Sequence, residues 1–409
     1  YKYENEKRSQ FLRASFDILD RYVLTATLRR DGTDKFFPDK KYSLFPSASV
    51  AWKLSNESFM QNLSWLNLLK VRASYGMTGS DNLGTSLYGI VGISREDIKF
   101  SNSSVTYVPY ALQSANYSDV TWQKTTMKNI GLDFSILKDR IWGSLDVFRN
   151  DVTNLLDTAP TSLLNMYGYR PVNGGHYKRT GVELSLNTLN IQTPNFKWTS
   201  SLALSHYNAC WIERMPNFDY KKYQKRENEP MNAYYYYKMV GVINEDRSNM
   251  PDSQRSLPRE AQLPGYPIID DRNGDGKIDI NDIYMDNTLP KVYYGFGNTF
   301  AYKKFDLDIY MYGQLGVKKF NSTHSSNCSA ANLASGILAA NPTDYAYSIW
   351  NSQTNPNGEV PGIAYKSVTL PENAPINAFW EKASFLRVRN ITLGYNWDAR
   401  KLAFLKGNV

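Results

Sequence analysis

Apolar and polar residues alternate strictly along several stretches of the chain. In residues 68–76 the odd positions are apolar, and the even positions carry Lys70, Arg72 and Ser74. A period of two is the pattern of a β-strand with one face toward an apolar environment. The same pattern predicts about eleven strands, near residues 10–18, 22–30, 43–53, 68–76, 124–135, 140–149, 180–188, 197–206, 292–302, 305–314 and 384–396.

The predicted strands are about 9–11 residues long, which is the length of a tilted strand that crosses a bilayer. Strands of ordinary globular proteins are nearer five or six residues. The connections alternate between short and long. The short ones lie at 19–21, at 136–139, between 188 and 197 and at 303–304, with a medium one at 54–67, and the long ones at 31–42, 77–123, 150–179, 207–291 and 315–383. Short periplasmic turns and long outer loops are typical of an outer-membrane β-barrel.

The large aromatic residues fit this interpretation. Eight of them fall at or near predicted strand ends, where a membrane barrel carries aromatic girdles; these are Tyr22, Trp52, Trp65, Tyr75, Trp122, Trp198, Tyr302 and Phe305. A soluble β-sandwich would instead place its aromatic core in the middle of the strands. Trp142 is an exception, because it shares a face with Ser144 and Asp146 and is predicted to point into the barrel lumen.

Composition narrows the class of protein further. Aromatic residues make up 14% of the 409 residues, and the mean hydropathy is −0.49. The longest apolar runs fall short of the roughly 18 residues of a membrane helix, which excludes a helical membrane protein. The net charge is +8, but acidic and basic residues are interleaved, so no nucleic-acid partner is predicted. Cys210 and Cys328 are the two cysteines, and their spacing leaves open whether they pair.

Catalytic chemistry is not indicated by the sequence. The three histidines, His176, His206 and His324, lie far apart and outside any Cys/His metal spacing. A nucleophile elbow and a phosphate-binding glycine loop are both missing. Asp306 and Asp308 lie two residues apart on one predicted strand. They are better explained as residues that line a water-filled lumen than as the carboxylate pair of a glycosidase. The sequence therefore predicts a protein that is not an enzyme.

One segment within the predicted loop 207–291 has the oxygen spacing of a calcium loop. Its glycine stands in the sixth place, as in an EF-hand, although the last ligand is Asp rather than Glu. The candidate Ca²⁺ ligands are Asp271, Asn273, Asp275, the Lys277 carbonyl, Asp279 and Asp282. An ion bound here would help to hold a long outer loop in one conformation. The alternative is a metal-free turn rich in Asp and Asn, with Gly274 and Gly276 at positive φ.

Several motifs, spread in order over nearly the whole chain, resemble those of one family. They are Arg21–Thr33 followed by Phe45–Trp52, then Leu69–Gly79, Arg179–Leu184, Asn273–Asp279 with Leu289 and Pro290 downstream, and Phe385–Tyr395. Each is weak alone, but together they resemble the SusC/RagA-like TonB-dependent transporters of Bacteroidetes.

The resemblance implies an all-β fold, an antiparallel transmembrane barrel of about 22 strands with a plug domain inside. We expect residues 1–409 to be about eleven strands from the C-terminal part of that barrel. The plug, the TonB-contacting segment and the last strands are expected to lie outside this sequence. An open half-barrel would leave two unpaired edges, so we expect a longer polypeptide or a second chain to complete it.

The resemblance also implies a function: nutrient import across the outer membrane, energised by TonB. The implied partners are a SusD-like surface lipoprotein, outer-membrane lipid, and an oligosaccharide or peptide substrate. The tyrosines at 234–237, and Tyr310 with Tyr312, suit stacking on sugar rings or a protein interface equally well. No individual substrate-binding residue is predicted. The alternatives are a soluble, calcium-stabilised carbohydrate-binding or adhesive β module, and a passive porin.

Overall fold

The computed structural model describes residues 6–82, 91–93, 98–99, 106–107, 110–112, 119–160, 169–216, 218–224, 228–327, 344–362 and 369–397. Its main feature is one antiparallel sheet of eleven strands. In chain order these are β1 Lys7–Ile18, β2 Tyr22–Thr33, β3 Tyr42–Lys53, β4 Leu66–Ser80, β5 Gln123–Ile136, β6 Ile141–Pro160, β7 Tyr169–Gln192, β8 Phe196–Glu213, β9 Val292–Tyr302, β10 Phe305–Leu315 and β11 Phe385–Tyr395.

The sheet is an uninterrupted meander, in which each strand pairs with the next along the chain. Every predicted strand is present, which confirms the fold class. Within the described residues the sheet is open, with β1 and β11 at its edges. The β1–β2 turn shows how tightly the strands are joined: Leu19 and Asp20 both have positive φ, and Arg21 N donates to Ile18 O at 3.0 Å. That is the two-residue geometry that matches strand twist.

The hairpin of β6 and β7 extends well beyond its predicted ends. The segment 150–179 was predicted as a long loop, but pairing continues to Pro160 opposite Tyr169. Alternation fails near Asn154, which has positive φ, as does Gly175 on the facing strand. The strands pass this irregularity because the outer hairpin packs on its own apolar cluster, formed by Ala159, Val172 and Met215 with Leu155, Trp211 and Phe218 around them.

The strict alternation of short and long connections is also wrong. The segment 54–65 lies at the short-turn end and holds two 3₁₀ turns, Leu54–Asn56 and Ser58–Met60. It is longer than the connections 34–41 and 161–168 at the opposite end. The two longest connections, after β8 and after β10, do lie at that opposite end, as predicted. Among the described residues, no helix is both long and apolar enough to cross a membrane.

Most of these two longest connections belongs to a second compact unit, residues 220–291 and 314–385, called here the loop unit. Three short ribbons build it: Ala233–Tyr237 with Ile283–Asn287, Met239–Val242 with Pro267–Ile269, and Lys318–Phe320 with Trp380–Lys382. It also contains the helix Ser322–Asn327 and the 3₁₀ turns Lys222–Gln224, Asp252–Ser256, Arg259–Gln262, Ile280–Asp282, Asp344–Ser348 and Pro371–Asn373.

The loop unit has its own hydrophobic core. Tyr237, Ile243, Ile283, Ile269 and Ala261 are all essentially inaccessible to solvent. A long loop loses much conformational entropy when it orders, and burial of large side chains offsets that loss. Apolar packing thus stabilises these long connections, a role for which the sequence suggested a calcium ion. Two further ribbons in the first unit are Val91–Ile93 with Tyr110–Leu112, and Ile98–Lys99 with Thr106–Tyr107.

Candidate functional site

The two faces of the eleven-stranded sheet differ sharply in chemistry. On one face, cross-strand pairing places Val71, Leu132, Leu145, Leu184 and Leu204 side by side across five strands. Many side chains of this face are exposed, and Leu145 retains 40% of its surface. Contiguous apolar surface of this extent needs a partner that is not water. An apolar outer band is what a membrane barrel presents to lipid.

The opposite face carries a charge network across β4, β5 and β6. Arg72 bridges two acids: its Nε lies 3.0 Å from Asp133 Oδ1, and its Nη2 lies 2.7 Å from Asp146 Oδ2. Lys70 Nζ binds the second oxygen of Asp133 at 2.7 Å. Gly131 lies between Arg72 and Asp146, and a Cβ there would stand 2.6 Å from the Arg72 guanidinium carbon. Glycine at this position therefore lets the guanidinium cross β5.

Other predicted lumen residues also lie on this polar face. Asp308 accepts a hydrogen bond from Thr299 Oγ1 at 2.5 Å, and Asp306 accepts one from Asn396 at 3.3 Å. Arg387 donates to the Tyr312 hydroxyl at 3.3 Å. Trp142 lies opposite Ser135 and Asn187 in the register, on the same face as Ser144 and Asp146, as predicted. Nothing in the structure explains why a tryptophan is needed there.

An aromatic girdle occupies the short-turn end of the apolar face. Tyr22 stacks on Trp52, and both donate to Glu57 Oε1, at 2.8 and 2.9 Å. Trp198 stacks on Phe300 with ring centroids 5.6 Å apart. Rings with an apolar body and a polar edge suit a membrane interface.

Two aromatic residues assigned to the girdle lie elsewhere. Trp122 is buried against Phe36 and Phe45, and its indole Nε1 donates to Lys41 O at 3.1 Å. It precedes β5 and belongs to a small core beside the strands rather than to a lipid interface. Tyr75 lies inside β4, several residues before its end. The strand was predicted too short because the alternation after Gly76 is weak.

The tyrosines at 234–237 are mainly core residues of the loop unit. Tyr235, Tyr236 and Tyr237 are buried, and Tyr234 stacks on Trp380 with centroids 3.9 Å apart. The prediction that this stretch offers rings to a sugar or a partner protein is therefore wrong for the three buried tyrosines. The sequence signal that could have indicated burial is the apolar run at 239–243, which immediately follows the tyrosines.

The proposed calcium loop is held by hydrogen bonds to its own backbone. Asp271 accepts from Gly274 N and Gly276 N at 2.8 and 2.9 Å, and Asp275 accepts from Lys277 N at 2.9 Å. Asn273 accepts from Asp275 N at 3.2 Å. Gly274 and Gly276 have positive φ, as the turn interpretation requires.

The last two candidate ligands form a capping box at the 3₁₀ turn Ile280–Asp282. Asp279 accepts from Asn281 N, and Asp282 accepts from Asp279 N at 2.8 Å and from Arg272 N at 2.9 Å. Asp282 is fully buried, with both oxygens used. In the described part of the chain, no three Asp, Glu, His or Cys side chains converge on one metal position. These hydrogen bonds match the turn interpretation, and calcium binding stays a prediction.

The histidines and cysteines do not form a reactive cluster among the described residues. His176 lies 3.4 Å from Asp151, and His206 lies on β8 beside Asn208. His324 contacts Glu381 at 2.5 Å and stacks on Tyr345. Cys210 is a free, half-buried thiol on β8, and Cys328 lies outside the described residues.

A half-buried carboxylate, Asp270, makes the loop unit sensitive to pH. Hydrogen bonds from Tyr284 Oη at 2.6 Å and Lys238 Nζ at 2.9 Å hold the pKa of Asp270 below its ordinary value. Arg272 also faces the Tyr284 ring. Because the folded pKa lies below the unfolded one, Asp270 stabilises the unit fully above about pH 4. That contribution is lost as pH falls through the folded pKa.

Replacement Tyr284→Phe is therefore expected to destabilise the loop unit by about 1 kcal/mol at pH 6, the value of a partly exposed hydrogen bond to a charged group. As pH falls through the lowered folded pKa of Asp270, the difference from the parent protein should shrink, because protonation of the carboxyl removes the charge to which Tyr284 donates. Hydrogen exchange of peptides covering 267–287, corrected for intrinsic rates, measures this. A difference that is independent of pH would contradict the assigned role of Asp270.

An antiparallel meander with one lipid-compatible face, one charged face and an aromatic girdle at its short-turn end defines part of an outer-membrane β-barrel. Comparison with known proteins identifies the family. The profile of the TonB-dependent receptor-like β-barrel family matches residues 1–408, so the chain belongs to this family. Its location is the outer membrane.

Individual relatives agree with the family assignment. TonB-dependent receptor P3 of Formosa agariphila is 28% identical over 418 residues, covering 97% of this chain and 39% of the relative. TonB-dependent receptor SusC of Bacteroides thetaiotaomicron is 27% identical over 406 residues, covering 97% of this chain and 38% of the relative. The chain thus spans about two fifths of the length of the curated relatives it matches. Its assignment to the C-terminal part of a barrel stays a prediction.

A solved structure shares the fold. The structure titled as the RagAB peptide transporter superposes with a TM-score of 0.71 at 17% identity, covering 96% of this chain and 41% of that chain. A second, of the RagAB peptide importer in its open-open state, gives 0.70 at the same identity, covering 99% and 42%. At this identity the likeness concerns the fold alone.

Proposed function

We propose that the chain forms part of a TonB-dependent importer that carries nutrients across the outer membrane. The observation that supports this most is the division of the sheet into an apolar face and a charged face, in a chain that belongs to the TonB-dependent receptor family. A transport protein of this kind supplies a wet passage and does no covalent chemistry, so we propose no enzymatic activity. TonB would supply the energy for import.

We propose that the substrate is an oligosaccharide or a peptide. The polar face supports either, because it combines fixed charges around Arg72 with hydroxyl and amide groups, and with rings at Trp142, Tyr310 and Tyr312. Charged groups suit peptide termini and side chains, whereas hydroxyls and rings suit sugars. One solved structure of similar fold is titled a peptide transporter, which supports a peptide, whereas the names of the curated relatives state no substrate.

We also propose a SusD-like surface lipoprotein as partner, docked on the loop unit. Large side chains of this unit are exposed although it has a well-packed core: Tyr347 is 84% exposed, Val240 53% and Leu263 48%. Exposed aromatic and aliphatic residues are the usual anchors of a protein interface.

Uptake in the native bacterium tests the importer. Deletion of the full-length gene should abolish growth on one class of oligosaccharide or peptide as sole carbon source, and deletion of TonB should give the same defect. Growth should be restored by the intact gene but not by a version that lacks the TonB-contacting segment. This result would distinguish active import from passive diffusion. Unchanged growth on every class tested would contradict the proposal, and growth without TonB would favour a porin.

The soluble, calcium-stabilised binding module is a weaker second candidate. It would have to keep the exposed aliphatic row around Leu145 in water, at a cost that contiguous apolar surface makes prohibitive. The calcium-like loop and the aromatic residues suggested it, but the acids of that loop accept hydrogen bonds from the loop's own backbone.

Calcium at residues 271–282 is retained as a proposal, for a structural ion and not a catalytic one. The spacing of Asp271, Asn273 and Asp275 supports it, and external calcium is plentiful enough for a site of about 10⁻⁴–10⁻³ M. Isothermal titration of the detergent-solubilised full-length protein should show one saturable Ca²⁺ site that Asp275→Ala removes. The matched control is Asp252→Ala, an exposed acid outside the loop. If the parent protein shows no heat of Ca²⁺ binding, the calcium proposal is wrong and the segment is a metal-free turn.

A further inference from the structure

An aromatic pair lies on the polar face of the sheet, toward its long-loop end. Tyr207 on β8 stacks on Tyr293 of β9, with ring centroids 5.7 Å apart and ring planes 3° from parallel. Their hydroxyls lie 3.3 Å apart and share a hydrogen bond. Strand register places Tyr207 opposite Gly181 and Tyr293 opposite Ser205, on the same face as Asp146. The two rings therefore hold each other in place on the wall along which a solute would pass.

Gly181 leaves room for a third ring beside this pair. Phe148 lies opposite Gly181 on β6. A Cβ at position 181 would stand 2.6 Å from the Phe148 ring and 2.7 Å from Tyr207 Cβ. The Phe148 ring therefore lies over β7, on the side of Tyr207. Glycine is required here because these side chains approach the backbone closely.

An arginine without an acidic partner stands next to the rings. Arg179 on β7 is exposed, and its guanidinium carbon lies 5.2 Å from the centroid of the Tyr207 ring. This cation–π contact restricts the position of the charge. Its register neighbours are Asn150 and Ala209, neither of which is acidic. The nearest acid on this face of β7 is Glu183, whose Cα is about 13 Å away along the strand.

Arg179 differs in this respect from Arg72, the other arginine that lines the same cavity. Arg72 already donates to two acids, Asp133 and Asp146. Arg179 makes neither an ion pair nor a hydrogen bond within the part of the chain that the structure describes. Its planar fork of N–H donors matches the two oxygens of a carboxylate. The cavity against this wall measures about 620 Å³, and the residues around Arg179 that line it are Asn129, Phe148 and Asn150.

We propose that Arg179 binds a carboxylate of the substrate, at a place on the polar face that we call the carboxylate site. Two guanidinium N–H groups donate to the carboxylate oxygens, and the Asn150 amide is the polar neighbour of the same group. The rings of Tyr207 and Phe148 contact the apolar part of the molecule that carries the carboxylate. This inference rests on the proposed import function and narrows the substrate to an anionic one. A uronate in an oligosaccharide and the C-terminus of a peptide both supply that chemistry.

Equilibrium dialysis of the detergent-solubilised full-length protein tests the site with two matched pairs of probes. One pair is trigalacturonate and its methyl ester. The other is a pool of tripeptides with a free C-terminus and the same pool amidated. In at least one pair the parent protein should bind the acid at least about tenfold more tightly, which is the lower end of the effect of a hydrogen bond to a charged group. Arg179→Gln should remove this preference and leave binding of the neutral probe unchanged.

Control variants separate the site from the general charge of the wall. Lys197→Gln removes one exposed cation from the same face of β8 at its short-turn end, so it should bind all probes as the parent does. Tyr207→Phe keeps the ring beside Arg179 and should keep the preference for the acid, whereas Tyr207→Leu should reduce it. Heat-modifiable migration on gels verifies that each variant is folded.

The two pairs of probes also distinguish the sources of the carboxylate. A preference within the sugar pair alone assigns an acidic oligosaccharide, and one within the peptide pair alone assigns a peptide. Three results would overturn the proposal: equal binding of acid and neutral probes by the parent, a preference that survives Arg179→Gln, or an equal loss in Lys197→Gln. Dialysis does not involve TonB, so these results leave the import function standing, whereas growth without TonB contradicts the importer itself.

Discussion

Replacement Leu145→Arg is expected to destabilise the membrane-inserted protein by about 2–4 kcal/mol, the cost of a cation near the bilayer midplane on a barrel. Leu145 lies opposite Leu132 on one neighbouring strand and Leu184 on the other, in the middle of the aliphatic row. An arginine there has no acceptor on this face within one register step. The arginine side chain is therefore stabilised only if water or lipid headgroups enter the apolar part of the bilayer.

The neighbouring residue on the same strand provides the control. Ser144→Arg places the same side chain on the polar face, opposite Asp133 and Ser185, so we expect a change below about 1 kcal/mol. Urea-dependent unfolding of the full-length protein from lipid vesicles measures both. Equal destabilisation by the two variants would mean that both faces meet the same environment, which would contradict a membrane barrel.

The sheet was predictable because one rule acts on every strand. Lipid on one side and water on the other impose alternation, so residues such as Val71, Leu145 and Ile309 reveal their face without any knowledge of the fold. The charge network was only half predictable. The sequence places Arg72 and Asp146 on the wet face, but their contact depends on the register of three strands and on Gly131 between them.

The outer hairpin and the core of the loop unit were not predictable by the same rule, because that rule acts only on strands with lipid on one side and water on the other. Past Arg149 both faces of β6 meet water or loop residues, so alternation is no longer required. The core of the loop unit joins segments far apart in sequence, such as Tyr237 with Pro371, whose contact no local pattern encodes. The spacing at 271–282 fits a calcium loop and a metal-free turn alike, because Asp and Asn repeat in the same way in both.

The sheet and the loop unit are stabilised by different interactions, so we expect mutations to affect their stability differently. The sheet depends on strand pairing and the surrounding lipid, whereas the loop unit depends on a small core of its own. A substitution that damages this core should leave the membrane strands folded. It should therefore reduce a function that needs the loop unit, such as partner docking, before it reduces the amount of protein in the membrane.

Replacement Tyr237→Ala is the sharpest form of that test. Tyr237 is fully buried, its hydroxyl donates to Asp279 O at 3.0 Å, and its backbone N donates to Pro375 O at 2.8 Å. Truncation of a buried aromatic residue costs about 3–5 kcal/mol, which is enough to unfold a unit of this size. We expect rapid tryptic cleavage at Arg255, Arg259 and Lys277 on intact cells, with heat-modifiable migration of the strands unchanged.

Two controls separate packing from other effects of Tyr237→Ala. Tyr237→Phe keeps the ring and loses only the hydroxyl, so it should cost about 1 kcal/mol and leave cleavage slow. Tyr347→Ala removes a tyrosine that is 84% exposed and should change nothing. If Tyr237→Ala is cleaved no faster than Tyr347→Ala, the loop unit does not depend on this core. Loss of the membrane strands together with the loop unit would show instead that the two units fold as one, because damage confined to 220–291 and 314–385 would then have spread to the sheet.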